Sequence, residues 1–235
     1  MTIETRIVGL DWSRLEQDID RRGWATTGPV LTRDECAALA GSYDDDGLYR
    51  SRVVMARHGF GQGEYRYYAY PLPPLIERLR SGLYERLVPL ANRWREAIGV
   101  GEPFPATHAG YLEACHAAGQ LRPTPLMLRY GPGDYNCLHQ DLYGELSFPL
   151  QAAFLLDQPG RDFSGGELVL TEQRPRMQSR VNVVPLQAGE AAIFAVNHRP
   201  VQGARGTYRV AMRHGVSPLR EGRRHTLGII LHDAA

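Results

Sequence analysis

His139-Gln140-Asp141 places a histidine and a carboxylate two positions apart, and a second histidine, His214, is followed ten residues later by Arg224. Residues i and i+2 of a strand point to the same side, so His139 and Asp141 can reach one metal ion from a single strand end. With His214 they form a set of two imidazoles and one carboxylate. Such a set can occupy one face of an octahedral divalent metal and leave the opposite positions open.

The segments around these residues are more specific than the spacing alone. The lead-in Tyr130–His139 reads Y-G-P-G-D-Y-N-C-L-H, and it is followed by G-G-E-L at Gly165–Leu168 and by A-G-E-A-A-I-F at Ala188–Phe194. In this order, over roughly residues 124–232, they resemble the iron(II)/2-oxoglutarate-dependent dioxygenases, and prolyl-hydroxylase-like members in particular. The second tyrosine of the lead-in stands one residue earlier than in that family.

The pattern of apolar and turn-forming residues changes near residue 123, and this change predicts the fold. Before it, apolar residues at helical spacing predict helices at 11–22, 32–41, 75–94 (with a kink or break at Pro89) and 107–118, and short strands near Val53 and Tyr65. After it, short apolar runs alternate with Gly, Pro, Asp and Asn, which is typical of a sandwich or barrel. We expect a single domain, 1–235. The resemblance implies a mainly β fold with added α-helices: a mostly helical support region, 1–122, packs outside a double-stranded β-helix (jelly roll), 123–235.

The resemblance also implies a role for each candidate site residue. His139, Asp141 and His214 would bind iron(II), and Arg224 would pair with the far carboxylate of the cosubstrate 2-oxoglutarate, which reacts with O2. Tyr130 would donate a second hydrogen bond to that carboxylate, and Thr226, on the same strand face as Arg224, would add a hydroxyl. These roles rest on the match of the segment after His214 to H-x-V-x-P-V-x-x-G-x-R.

Two pairs of residues compete for these roles. His198 follows the predicted strand that ends near residue 196, but the segment after it lacks the family pattern, so we expect His214 to be the ligand. Residues 197–206 then form an inserted loop or hairpin. Arg223 and Arg224 are adjacent, so on a strand only one of them can face the pocket.

Composition excludes several classes of protein. No apolar run approaches the ~18 residues needed to span a bilayer, and the first residues lack a secretory pattern. We therefore expect a cytoplasmic protein without a membrane partner. We infer no obligate protein partner. The cysteines Cys36, Cys115 and Cys137 are odd in number and far apart, which argues against disulfides and a structural zinc site.

The charge pattern leaves the substrate open. The net charge is +1, but ten arginines against two glutamates lie between Arg174 and Arg224, which is compatible with an anionic partner such as nucleic acid. The whole chain resembles a bacterial group of oxygenases predicted to demethylate damaged nucleic acid. For such a substrate we expect Tyr135 and Tyr143 to flank the base, and Arg199 and Arg205 to line the rim.

Two other functions remain open at this stage. The spacing of ten between His214 and Arg224 resembles prolyl hydroxylases more than AlkB-type enzymes, so hydroxylation of a peptide or amino-acid side chain is the main alternative. A metal-binding, cupin-like sensor without catalysis is the second. The arginine clamp argues against it, because a sensor needs no second carboxylate pocket.

Overall fold

The structure, a computed structural model, describes residues 1–204 and 206–235. Within these ranges the chain forms five α-helices: α1 (Ile3–Val8), α2 (Trp12–Arg22), α3 (Arg33–Gly41), α4 (Pro74–Ile98) and α5 (His108–Ala117). The strands within the same ranges are β1 (Trp24–Pro29), β2 (Tyr49–Val54), β3 (Gly61–Gln62), β4 (Glu64–Tyr68), β5 (Leu126–Tyr130), β6 (Tyr135–His139), β7 (Leu150–Leu155), β8 (Phe163–Gly165), β9 (Leu168–Gln173), β10 (Arg180–Val184), β11 (Glu190–Ala195), β12 (His198–Gly203), β13 (Gly206–Val216), β14 (Leu219–Gly222) and β15 (Arg224–Ile229). Short 3-10 turns lie at Asp46–Leu48 and Met55–His58.

Two antiparallel sheets form the body of the molecule. The major sheet has the order β1-β11-β7-β15-β5-β4-β2, and the minor sheet has the order β10-β9-β13-β6-β3, with β12 paired to β13. Strands from the second half of the chain cross repeatedly between the two sheets, as in a jelly roll. The expected double-stranded β-helix fold is confirmed.

The first third of the chain also supplies strands to the major sheet. β2 and β4 extend one edge and β1 extends the other, where Trp24 lies opposite Phe194 of β11. Short strands near β2 and β4 were expected, whereas β1 was not. The segment W-A-T-T-G-P lacks an alternation of apolar and polar residues and ends in Gly and Pro, and it becomes a strand by pairing with β11.

The major sheet is covered on one face by the helices and on the other by the minor sheet. Buried residues of the helices, such as Leu15, Leu79 and Leu83, join one cluster with Phe154 and Ile229 of the sheet. A second cluster fills the space between the two sheets, and its members include Trp24, Tyr130, Leu155, Phe194, Leu168 and Leu170. The helices therefore pack outside the barrel, as expected, and the space between the sheets is free to hold a site.

Helix α4 is the longest helix among the described residues. It runs unbroken for 25 residues although Pro89 lies inside it, so the expected break does not occur. Its buried leucines, including Leu79, Leu83, Leu87 and Leu90, hold both halves on the same core and outweigh one lost backbone hydrogen bond. None of the described helices combines the length and the apolar character that crossing a membrane requires.

Candidate metal and anion site

The three residues of the predicted metal set lie on adjacent strands of the minor sheet. His139 ends β6, Asp141 follows two residues later, and His214 lies on β13. The two strands pair so that His139 stands opposite His214. Ligand atoms of the three residues lie within 4.8 Å of one another and could hold a metal ion.

The spacing of these atoms fits three ligands on one face of an ion. His139 Nε2 lies 3.4 Å from Asp141 Oδ1, and His214 Nε2 lies 3.1 Å from Asp141 Oδ2. Divalent first-row metals bind such atoms at about 2.1 Å. Two ligands at right angles on one ion are then about 3 Å apart, close to both separations in this structure.

Hydrogen bonds fix the orientation of His139. Its Nδ1 lies 2.8 Å from the carbonyl oxygen of Cys137, so the Nδ1–H donates to that carbonyl and the lone pair stays on Nε2, which faces Asp141. A metal-binding histidine is usually held in this way. Burial lowers the pKa of His139, but the hydrogen bond and charge of Asp141 and the Cys137 carbonyl together raise it above its ordinary value.

Asp141 is buried and accepts hydrogen bonds on both oxygens. The Tyr143 hydroxyl donates to Oδ1 at 2.6 Å and the Gln151 amide donates to Oδ2 at 2.8 Å. Burial raises the pKa of Asp141, but the charge of His214 and the hydrogen bonds from His139 and His214 outweigh burial and hold that pKa well below its usual range. The carboxyl group is therefore an anion suited to binding a cation.

His214 is held mainly as a neutral base. Burial lowers its pKa, as does the nearby His139, and the charge of Asp141 offsets these effects only in part. A neutral imidazole is the form that binds a metal. Its Nδ1 is buried and has no hydrogen-bond partner among the described residues.

A buried cation lies at the other end of the same space. Arg224 of β15 stands opposite Tyr130 of β5, and its guanidinium donates to the Thr226 hydroxyl at 2.5 Å. Burial lowers the pKa of Arg224, and burial raises the pKa of Tyr130 to about 12. Within the described part of the chain, Tyr130 Oη and Arg224 Nε are buried without hydrogen-bond partners. The three side chains form a candidate anion site in which two polar atoms lack partners.

One cavity of about 330 Å³ joins the two ends. Its lining includes the three metal-set residues and the three anion-site residues: His139, Asp141, His214, Tyr130, Arg224 and Thr226. The other lining residues are largely apolar or aromatic, among them Leu126, Leu128, Leu168, Leu186 and Phe194. At its margin Phe60 and Leu138 are 48% and 46% exposed, so the cavity has an apolar rim.

The competing residues lie elsewhere. His198 is half-buried on β12, opposite Ala211 of β13, and is not in the group that could hold a metal. Residues 198–203 pair with β13, so the described part of the insertion is one arm of a hairpin. Of the two expected forms, a loop or a hairpin, the hairpin is therefore the one observed. Arg223 is exposed, as expected for the neighbour of an inward-pointing arginine.

The residues expected to contact substrate are only partly brought to the cavity. Tyr143 lines it, whereas Tyr135, which pairs with Gln62 at the edge of the minor sheet, is not among its lining residues. The expected position of Arg199 at the rim is wrong. Its side chain is buried, donates to Glu172 at 2.8 Å and caps the carbonyl of Asp20 at 3.1 Å. Arg205 lies outside the described residues.

Three arginines of the arginine-rich stretch meet at one buried acid. Arg174, Arg180 and Arg199 converge on the buried carboxylate of Glu172, at 3.3, 3.5 and 2.8 Å. Burial raises the pKa of Glu172, but the hydrogen bond and charge of Arg199 and the charges of Arg180 and Arg174 lower it below its ordinary value. Arg199 is therefore paired inside the fold and contributes no charge to a rim.

Gln151 is the site residue that sequence reasoning missed. It is the only polar residue within the apolar strand β7, L-Q-A-A-F-L, and it is buried. A buried amide without hydrogen-bond partners is costly. A single glutamine in an apolar strand therefore indicates that its side chain has a polar partner elsewhere in the fold. The partner, Asp141, could be named only once the pairing of the sheets was known.

Comparison with known proteins agrees with this geometry. The fold matches that of a prolyl-4-hydroxylase from Pseudomonas putida, with a TM-score of 0.55, 14% identity, and coverage of 95% of this chain and 99% of that chain. It likewise matches a 2OG-Fe(II) oxygenase-family oxidoreductase from Burkholderia pseudomallei, with a TM-score of 0.55, 15% identity, and coverage of 95% and 92%. The fold is thus that of the 2OG-Fe(II) oxygenases.

Similarity in sequence shows to which family of oxygenases the chain belongs. Residues 63–234 match the family Oxygenase-NA, described as an oxygenase catalysing oxidative methylation of damaged DNA. The uncharacterized protein Rv2227 of Mycobacterium tuberculosis (strain H37Rv) is 48% identical over 165 residues, which are 70% of this chain and 71% of that protein. The chain belongs to the Oxygenase-NA family and is an oxygenase.

Proposed function

We propose that the chain is an iron(II)- and 2-oxoglutarate-dependent dioxygenase in which His139, Asp141 and His214 hold the iron. Arg224, with Tyr130 and Thr226, would hold the far carboxylate of 2-oxoglutarate. When bound, iron and 2-oxoglutarate supply the chemistry that activates O2 and oxidises a substrate C–H bond, with release of succinate and carbon dioxide. The observation that carries the proposal is the convergence of both residue sets on one cavity.

The unsatisfied polar atoms of the cavity support this assignment. Tyr130 Oη, Arg224 Nε and Gln151 Oε1 are buried without partners among the described residues, and all three belong to residues that line the cavity. Buried polar groups are normally satisfied. Polar ligands in the cavity would supply the partners that these atoms lack.

The protein's own groups would bind and orient the cosubstrate. A buried guanidinium without a carboxylate partner is costly, and a dicarboxylate that reaches it removes this cost. Tyr130 stays protonated because its pKa is raised to about 12, so its hydroxyl can donate to the same carboxylate. The apolar wall of Leu168, Leu186 and Phe194 would limit water around the reacting groups. A cupin-like sensor would not need this second anion site.

For the substrate we propose an alkylated base in damaged nucleic acid. The description of the family supports it, and so does the apolar and aromatic character of the cavity beside the metal set, which suits an unstacked base. Phe60, exposed at the rim and stacked on His58 with ring centroids 5.3 Å apart, is a second aromatic surface for the substrate. The arginines do not carry this proposal.

Hydroxylation of a peptide or amino-acid side chain is the second candidate. Two observations favour it: the structural similarity to a prolyl-4-hydroxylase, and the burial of Arg199, which removes one of the cationic groups that a nucleic-acid rim would use.

Turnover separates the candidates. We would measure succinate formation by the iron-loaded enzyme with a methylated single-stranded oligonucleotide, the same oligonucleotide without methylation, and proline-containing peptides, with His214→Ala as the inactive control. Succinate formed only with the methylated strand, together with loss of the methyl group, supports the first candidate. Succinate coupled to peptide oxidation supports the second. If the protein binds iron but does not turn over 2-oxoglutarate, the result supports the alternative of a metal-binding sensor without catalysis.

We also infer that the enzyme works in the cytoplasm. Cys36, Cys115 and Cys137 are all free, which fits a compartment where thiols stay reduced.

A further inference from the structure

Asp141 accepts hydrogen bonds from two side chains that lie outside the H-x-D and His214–Arg224 segments described above. The Tyr143 hydroxyl donates to Oδ1 at 2.6 Å, and the Gln151 amide nitrogen donates to Oδ2 at 2.8 Å. All three residues line the cavity. We propose that Tyr143 and Gln151 form a carboxylate clamp, two positioning residues that set the orientation of Asp141 for metal binding. The inference rests on the proposed iron site.

The two donors approach the carboxylate from different elements. Tyr143 lies in the loop that follows Asp141, whereas Gln151 lies on β7 of the major sheet, opposite Phe194 of β11. The clamp therefore ties the metal-binding loop of one sheet to a central strand of the other. A carboxylate held at both oxygens cannot rotate freely, so its coordinating lone pair is aimed in advance.

Hydrogen bonds and a ring contact hold the loop that carries Tyr143 in place. The backbone N–H of Ala235 donates to the Tyr143 carbonyl at 3.2 Å. The Gln120 side chain bonds both the N–H and the carbonyl of Leu146, at 2.7 and 3.0 Å, and the Tyr143 ring meets Tyr67 edge-on with centroids 6.1 Å apart. These contacts hold the loop and the ring in the position from which the hydroxyl reaches Asp141.

Gln151 is the one polar residue of β7, and its side chain is buried. Burying an amide is unfavourable unless it gains a strong partner. A hydrogen bond to an ionised carboxylate is such a partner. The same amide lies 3.3 Å from His214 Nε2, so it borders two of the three groups proposed to bind the metal.

This role differs from the expectation that Tyr143 stacks on the substrate, and one substitution separates them. Tyr143→Phe keeps the ring and removes the hydroxyl. A stacking residue would be almost unaffected, whereas a clamp residue would lose its function. Gln151→Met keeps the volume of the strand residue and removes the donor. Tyr208→Phe is the matched control, because it removes a tyrosine hydroxyl from β13 at a position, opposite Val201, that does not line the cavity.

The test is the affinity for Mn(II), a redox-stable divalent ion, without 2-oxoglutarate or substrate. Titration followed by electron paramagnetic resonance gives both the Kd and the symmetry of the site. We expect Tyr143→Phe and Gln151→Met each to weaken binding by about 10-fold or more, the usual effect of removing an outer hydrogen bond, and to alter the spectrum of the bound ion. The metal-free Tm should stay close to that of the wild type, and Tyr208→Phe should match the wild type throughout.

The outcomes are distinguishable. Wild-type affinity and an unchanged spectrum in Tyr143→Phe and Gln151→Met would overturn the clamp and leave the iron site standing. A wild-type protein that binds no Mn(II), or binds it equally well after His214→Ala, would overturn both proposals. If Gln151→Met does not fold, Tyr143→Phe alone decides, because its ring packing is unchanged.

Discussion

Arg224 and Tyr130 stand opposite each other across the pairing of β15 with β5, and each keeps a buried polar atom without a partner among the described residues. The Arg224 guanidinium carbon lies 5.5 Å from the centre of the Tyr130 ring. A cation over an aromatic ring gains some stabilisation, but not enough to replace a carboxylate partner. The pair therefore supports the proposal that an anion reaches it through the cavity.

The first prediction concerns that anion. Arg224→Gln should raise the KM for 2-oxoglutarate a hundredfold or more, because removing one side of a buried ion pair typically costs about 3–5 kcal/mol. Iron content should be retained, since Arg224 is not in the group of residues that could hold a metal. Steady-state succinate formation measures the first quantity, and metal analysis of the purified protein measures the second.

Arg223→Ala is the control for this experiment. Arg223 is adjacent in sequence, exposed, and points away from the cavity, so its loss should change the KM less than about twofold. Equal losses at the two positions would contradict the assignment of Arg224.

The second prediction concerns the metal. His214→Ala should abolish stoichiometric iron(II) binding, because two remaining ligands from the β6 end hold a divalent ion weakly. His198→Ala should retain it, since His198 lies on the hairpin arm, away from the group that could hold a metal. Iron content after anaerobic reconstitution tests both variants. Retention in His214→Ala with loss in His198→Ala would reverse the assignment.

Some of this site could be predicted from the sequence, and some could not. The pattern H-x-D, with the segment after His214, predicted the metal set, although β6 ends at His139 and Asp141 lies in the loop beyond it. The pairing of β6 with β13, which puts His139 opposite His214, depends on contacts distant in sequence, and no local pattern encodes it. For the same reason the partner of Gln151 could not be named.

Long-range pairing also explains the failure at Arg199. Its place in an arginine-rich stretch suggested a surface role. In the folded chain β12 pairs with β13 and β9 lies on the other side of β13, which brings Arg199 to Glu172. Charge along the sequence carried no information about this buried partner.

The third prediction is a loss of stability as pH falls. Burial, with the nearby charge of Arg80, lowers the pKa of His108 to about 4 and that of His232 to about 4. In the unfolded chain both titrate near the ordinary value of about 6.5. Between these values the unfolded state binds more protons, so stability is full above about pH 6.5 and falls as the pH drops toward 4.

From pH 7 to pH 5 each histidine contributes a loss of about 2 kcal/mol by this linkage. His108→Gln should remove about half of the combined loss, because Gln cannot take up a proton and can still donate to the Leu231 carbonyl that His108 contacts at 3.0 Å. Urea unfolding at the two pH values measures the difference. His58→Gln, which changes an exposed imidazole, should leave the loss as in the wild type, and a wild-type slope in His108→Gln would refute the assignment.

The last prediction concerns the C-terminal end of the chain, which supports the loop of Tyr143. Arg80 and Asp233 form an ion pair at 2.7 Å with side chains only 1% and 0% exposed, and Asp233 also accepts from Tyr70 and His116. Asp233→Ala leaves the guanidinium buried and uncompensated, so we expect a loss of about 3–5 kcal/mol in the free energy of unfolding. Glu16→Ala, which removes an exposed ion pair with Arg93, should cost less than about 1 kcal/mol. Chemical denaturation of both variants compares them directly, and equal losses would show that the buried pair does not anchor the C-terminus.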